Sequence, residues 1–209
     1  APLQLLSTYV FSGSKLARAK RHADVIEVMK LAETLYPLSA DIQALYARAY
    51  AALNDRKKAA FHLVAAARLA PTYMNFSFDS LGLKPSEIRD AYLFMGWGNY
   101  FAKNNKGAVY RFDEYVKAGG KDPNAIRGRG FAQFRLGAYD KAVKDLSAAA
   151  AKEPKTLLPV SEVIELPGLK QSWTVVYNAR STLGWIAYRT GNSKKAVHEF
   201  SKVLKTYPA

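Results

Sequence analysis

The residues best equipped for chemistry are few and scattered. Histidines stand at positions 22, 62 and 198, and there is no cysteine. That removes disulfides, thiolate metal ligands and cysteine nucleophiles together. His198 precedes Glu199 but lacks the second histidine that a zinc-protease helix places on the same face. The three histidines fall in different parts of the chain, at or near positions expected to face outward. Most carboxylates alternate with lysines, as in DEYVK and DKAVKD, the pattern of a solvated helix face. NFS at Asn75 is a glycosylation triplet with meaning only in a secreted eukaryotic chain. GNSKKA from Gly191 has the tail of a phosphate loop without the glycine spacing before it. GFAQFRLGAYDKA, Gly130 to Ala142, has two glycines seven apart, but Gln133 stands where a nucleotide fingerprint needs its next glycine, and no strand precedes it. No nucleophile, base and oxyanion site can be assembled. The expectation is a chain that is not an enzyme, with no catalytic residue, metal or cofactor.

The glycines find a better explanation in packing. PNAIRGRGFAQFRLGAYDKAVKDLSAAAAKEP from Pro123 and YNARSTLGWIAYRTGNSKKAVHEFSKVLKTYP from Tyr177 superimpose without gaps. Gly130 falls on Gly184, Gly137 on Gly191, Ala142 on Ala196, Leu146 on Phe200 and Pro154 on Pro208. Ala47, Ala59 and Leu63 keep the register in a copy starting at Ala40, and Gly96, Ala108 and Phe112 in one starting at Arg89. A degenerate copy near Leu6 retains Gly13, Met29, Ala32 and Pro37. A period of 34 recurs, with insertions after the second and fourth copies. Gly137, Gly191 and Asn54 are expected to end first helices in the left-handed conformation, and Pro71, Pro154 and Pro208 to stop second helices. Small residues at Gly130 and Ala142 are expected to face one another across the hairpin, with Leu146 and its counterparts filling the next layer.

This pattern resembles the tetratricopeptide repeat (TPR) family over nearly the whole chain apart from the insertions. The resemblance implies an all-α, right-handed solenoid in a single domain over 1–209. Repeats would lie near 6–39, 40–73, 89–122, 123–156 and 177–209, and insertions near 74–88 and 157–176. In the family, ligands lie on a concave face built from the second, fifth, ninth, twelfth and thirteenth positions of each repeat. Carried over, the candidate groove is Trp97, Tyr100 and Phe101 from the third repeat, Asn124, Arg127, Phe131, Phe134 and Arg135 from the fourth, and Asn178, Trp185, Tyr188 and Arg189 from the fifth. Trp97, Phe131 and Trp185, flanked by Tyr100, Phe134 and Tyr188, would form an aromatic ladder with arginines beside it. Repeats one and two offer mostly small residues there. Ser14, Arg48 and Trp97 occupy the ninth positions where chaperone-binding members need their carboxylate clamp, which argues against a chaperone C-terminus as partner.

The first insertion, Tyr73 to Glu87, reads as a loop leading to a helix capped by Ser86; the second, Lys155 to Trp173, as a short helix or extended piece between Pro159 and Pro167–Gly168, with the next helix starting near Leu169. The last helix carries Val197, Phe200, Val203 and Leu204, leaving one apolar side uncovered, so a longer natural chain, a partner or self-association is expected at that end. The formal net charge of +14 is split +5 and +9 between residues 1–104 and 105–209, a field that favours anionic partners. No run of eighteen apolar residues exists to cross a membrane.

The leading expectation is a non-catalytic interaction scaffold holding an acidic peptide or protein in the aromatic and arginine-lined groove. The alternatives are an envelope-assembly or polysaccharide-export module contacting an anionic polymer, with a leaning toward the bacterial periplasm or envelope, and nucleic-acid binding through the basic surface. The last ranks lowest because the basic residues form no dense run.

Overall fold

The computed structural model describes residues 2–71, 81–152, 160–165 and 172–206. Helices come in pairs at the repeat spacing: α1 (Pro2–Arg18) with α2 (His22–Leu35), α3 (Ala40–Ala52) with α4 (Arg56–Leu69), α5 (Arg89–Phe101) with α6 (Asn105–Lys117), α7 (Pro123–Arg135) with α8 (Tyr139–Lys152), and α9 (Ala179–Arg189) with α10 (Ser193–Thr206). They divide into two compact units, Ala1–Gly120 with three pairs and Lys121–Ala209 with two. Within each unit the second helix of a pair packs on the first helix of the next, α2 on α3 and α4 on α5, and in the other unit α8 on α9. This is the helical-repeat architecture expected from the register.

Short polar residues start several of the helices. The side chain of Ser39 accepts from the N–H of Ile42, Asp55 from Lys58, Asn104 from Gly107, Asp122 from Asn124 and Asn178 from Ser181. Each satisfies a backbone donor that the first helical turn leaves unpaired. The turn between paired helices is equally regular. Its fifteenth-position residue has positive φ in all five repeats: Lys20 (59°), Asn54 (61°), Lys103 (61°), Gly137 (75°) and Gly191 (78°). The geometry of the hairpin imposes this conformation whether or not a glycine is there to relieve it.

The eighth position sets the distance between paired helices. A Cβ added at Gly130 would sit 2.7 Å from Cγ of Leu146; at Gly184, 2.7 Å from Cε1 of Phe200; at Gly96, 2.5 Å from Cε1 of Phe112; at Gly13, 2.8 Å from Cε of Met29. In every case the neighbour is the twenty-fourth residue of the same repeat. At each of these positions the glycine faces the large residue directly and makes room for it. Leu146, Phe112 and Met29 are fully buried in consequence, each contributing about 1.5–3 kcal/mol by removal from water. In the second repeat Ala47 and Leu63 occupy the two positions, and both are buried.

The insertions depart from the reading at Ser86 and at the start of α9, while the extended alternative for the second one holds. Ser86 caps no helix; it lies inside a single 3-10 turn, Pro85–Glu87, and α5 follows from Ile88 without a side-chain cap. In the second insertion β1 (Val160–Glu165) and β2 (Ser172–Tyr177) form an antiparallel pair, with Val160 opposite Tyr177 and Glu165 opposite Ser172. Both strands are rich in β-branched residues, which favour that conformation. The chain leaves β2 at Tyr177, so α9 starts at Ala179 and not near Leu169. Asn75, Pro154, Pro159, Pro167, Gly168, Leu169 and Pro208 lie outside the described residues.

Gly130→Ala should lower unfolding stability by about 1–3 kcal/mol through overpacking against Leu146, measured by urea denaturation. Leu146→Ala relieves that clash, so the double variant should lose clearly less than the two single losses added together; strict additivity would show that the two residues do not share this contact.

Candidate functional site

In the unit Lys121–Ala209, the first helices α7 and α9 carry Arg127, Arg129, Arg135, Arg180 and Arg189 and no carboxylate. Second helices neutralise two of these. Arg129 makes a bidentate pair with Asp145 of α8, at 2.7 and 2.8 Å, both groups largely shielded from water. Arg180 approaches Glu199 of α10 at 3.7 Å. Asp145 and Glu199 share one repeat position, so the same slot on the second helix answers an arginine in both repeats.

Two others, Arg127 and Arg189, lie against aromatic rings. The guanidinium of Arg189 lies 5.0 Å from the centre of the Phe134 ring, linking α9 to α7, and that of Arg127 lies 5.8 Å from the ring of Phe131. A guanidinium over a ring face is attracted by the quadrupole of the π system. Arg189 is exposed and Arg135 half-buried. Tyr188 is 63% exposed and meets Trp185 edge-on at 6.1 Å. Arg135, Trp185, Tyr188 and Arg189 thus present an accessible, cationic and aromatic surface.

Several groove candidates are not surface residues. Tyr100, Phe131, Phe134, Arg127 and Asn178 are all buried, so the six-ring ladder is corrected to a partial one. The cause is packing between neighbouring helices, which uses the ninth and twelfth positions as core wherever another element covers them. Asn178 is a helix cap: its Oδ1 accepts from the N–H of Ser181 at 2.7 Å, while its own N–H donates to Ser181 Oγ at 2.9 Å. Asn124 is half-buried and accepts from Nη2 of Arg127 at 3.0 Å. Trp185 is half-buried because its ring stands edge-on to Phe200 at 5.4 Å. Trp97 repeats this contact with Phe112, also at 5.4 Å. In the unit Ala1–Gly120, Trp97 also stacks on Phe101, which remains 64% exposed.

That first unit holds two features that pattern reading missed. His62 is not an outward-facing histidine. Its ring stacks on Tyr46 at 4.5 Å and Tyr50 at 5.4 Å, and its Nδ1 lies 2.7 Å from Oε1 of Gln43. Gln43 in turn donates to Glu33 at 2.8 Å, as does the Tyr46 hydroxyl at 3.2 Å. Burial, then the Glu33 carboxylate, holds the Tyr46 hydroxyl protonated well above its ordinary range. Burial pushes the His62 imidazole below its usual value, Glu33 opposing this and Lys58 adding to it. Beside this network a cleft of about 1230 Å³ runs along α4, lined among others by Leu38, Phe61, Leu69 and Phe94 with Lys57 and Arg68. Its only advance signal was Phe61, an aromatic outside the buried register of its helix. Arg56 and Glu87 close part of its wall with paired hydrogen bonds of 3.2 and 2.7 Å. The Arg56 side chain, followed by the Lys84 N–H, pulls Glu87 down to about 2.

Among the described residues no group of three or more histidine and carboxylate side chains could hold a metal ion, and no helix is long and apolar enough to cross a membrane.

No protein-family model matches the sequence, and no curated protein matches it. Solved structures do. YrrB, described as a TPR protein with an unusual peptide-binding site, aligns with a TM-score of 0.50 at 15% identity over 96% of this chain and 85% of its own. MamA aligns with a TM-score of 0.47 at 15% identity over 93% of both chains. MamA from Desulfovibrio magneticus RS-1 aligns with a TM-score of 0.47 at 16% identity, covering 96% of this chain and 94% of that one. At such identities the likeness concerns the fold, which is TPR-like.

Two pH effects are expected. Because folding depresses the His62 pKa, the unfolded chain takes that proton first. The associated stability is present above about pH 6.5 and is lost as pH falls below it. His62→Phe, which keeps the ring stack, should flatten the decline in melting temperature between pH 7 and 5. Glu87 is also depressed, so the contribution of its pair is present above about pH 4.5 and lost toward pH 2. Glu87→Gln should melt earlier than wild type at pH 7 and coincide with it near pH 2.

Proposed function

We propose that this chain is a non-catalytic interaction scaffold, and that the first-helix face of α7 and α9 holds an acidic peptide or an acidic segment of a partner protein. The observation that carries this reading is the composition of that face. It bears no carboxylate, Arg135 and Arg189 reach its surface while Arg129 and Arg180 are paired with second helices, and Arg189 is braced over Phe134 beside an exposed Tyr188. Aromatic residues and arginine concentrate binding energy at protein interfaces. A guanidinium held by a ring loses little further freedom when it meets a carboxylate in bidentate fashion. The TPR-like fold, shared with a protein described as peptide-binding, supports a peptide as the class of ligand. Trp97 and Phe101 in the first unit form a second aromatic surface.

Titration of a fluorescent glutamate-rich peptide against a neutral peptide of equal length tests this. The acidic peptide should bind more tightly and lose affinity as salt rises. Arg135→Ala and Arg189→Ala should each weaken it about tenfold, roughly 1.4 kcal/mol, and Tyr188→Ala and Trp97→Ala should report whether each aromatic surface takes part. Unchanged affinity in both arginine variants would reject this face as the site. Stronger binding of an acidic oligosaccharide, or of single-stranded nucleic acid with a steep salt slope, would reassign it to an anionic polymer.

A further inference from the structure

The cleft along α4 lies where one junction of the stack runs the other way. At α2–α3 and α8–α9 the end of a second helix meets the start of the next first helix: Glu33 accepts from Gln43, and the Ala150 carbonyl accepts from Arg180. Between α4 and α5 the two starts meet instead. Arg56, in the first turn of α4, pairs with Glu87, just ahead of α5. Pro71, beyond the end of α4, lies so near Gly98, late in α5, that a Cβ added there would sit 2.5 Å from Cβ of Pro71. The two helices therefore run in the same direction, and the cleft of about 1230 Å³ lies beside them, inside one compact unit.

Its floor is a face of α4. Lys57, Phe61, Val64 and Arg68 follow one another at four, three and four residues, so they share one side of the helix. Phe61 is 68% exposed. The repeat packing does not ask for apolar residues here: the equivalents of Val64 are Lys30, Asp113, Ser147 and Ser201, all polar. Leu38, from the turn after α2, and Phe94 of α5 extend the apolar lining. Each carboxylate that lines the cleft is already engaged, Glu33 by Gln43 and Tyr46, Glu87 by Arg56 and Asp90 by Arg89. Lys57 and Arg68 are exposed and form no ion pair among the described residues. They bracket the apolar floor, eleven residues and therefore about 16 Å apart along the helix, a distance that about five residues of extended chain would span.

We propose that this cleft binds an extended segment of a partner protein, its central apolar side chains lying on Phe61 and Val64 and an acidic residue at each end meeting Lys57 and Arg68. The site is in a different unit from the α7 and α9 face and does not depend on it.

Eight-residue synthetic peptides test this by fluorescence anisotropy. The first has a leucine centre and a glutamate at each end. Three others replace the glutamates by glutamines, the glutamates by lysines, or the leucines by serines. The first should bind at least fivefold more tightly than each of the others. Phe61→Ser should weaken it about tenfold, and Lys57→Glu/Arg68→Glu should transfer the preference to the lysine-ended peptide; circular dichroism should show both variants folded, since all three side chains are exposed. Arg189→Ala should leave the affinity unchanged, and a loss there would place the peptide on the α7 and α9 face and overturn the cleft as its site. Equal binding of the glutamate- and glutamine-ended peptides would overturn the proposal. So would self-association in sedimentation that Phe61→Ser abolishes, because a second copy of the chain would then be the occupant.

Discussion

A glycine or alanine pressed against one large side chain is the contact on which each repeat depends. The eighth residue of the first helix has no side chain, or almost none, and the twenty-fourth residue fills the space it leaves. Gly130 and Leu146, Gly184 and Phe200, Gly96 and Phe112, and Gly13 and Met29 are one contact used four times, with Ala47 and Leu63 at the same positions in the second repeat. Interiors pack at nearly crystalline density, so the pair determines how near two helices come and how a hairpin turns. The positive φ at Lys20 and Lys103 follows from this. Those hairpins close by the same path as the ones ending in Gly137 and Gly191, and the fifteenth residue takes the conformation the path requires.

The same packing separates the aromatic residues into core and surface. A ninth-position tryptophan is half-covered by the twenty-fourth-position phenylalanine of its own repeat, as Trp97 is by Phe112 and Trp185 by Phe200. Where neighbours close over the ninth and twelfth positions, as at Phe131 and Phe134, the rings become core and act only through their faces, as platforms for Arg127 and Arg189. A buried ring can therefore still position a guanidinium at the surface. Carboxylates are absent from these two first helices, and on the second helices Asp145 and Glu199 engage Arg129 and Arg180. The acidic groups thus brace the stack, and the accessible charge on the first-helix face stays positive.

The wall of the α4 cleft arises from an interruption of the stack: the first insertion brings Glu87 within reach of Arg56, and an ion pair lies beside the apolar lining formed by Phe61 and Leu38.

Spacing alone determined the helix pairs, the register, the left-handed turns at Asn54, Gly137 and Gly191, and the reading of Gly130 as a packing residue instead of part of a phosphate loop. These are local or single-repeat properties, and a period of 34 residues repeats them often enough to be read. Tertiary structure decided which ring of an identical pattern is buried, why Asn178 is a cap and not a contact, that His62 belongs to a stacked network with Tyr46 and Gln43, and that the second insertion pairs into strands before α9. Each of these depends on which neighbour covers a given face, and that neighbour comes from another helix, a preceding repeat or an insertion outside the period. A one-dimensional pattern fixes which face of a helix a residue occupies, but only the packed chain determines what lies against that face.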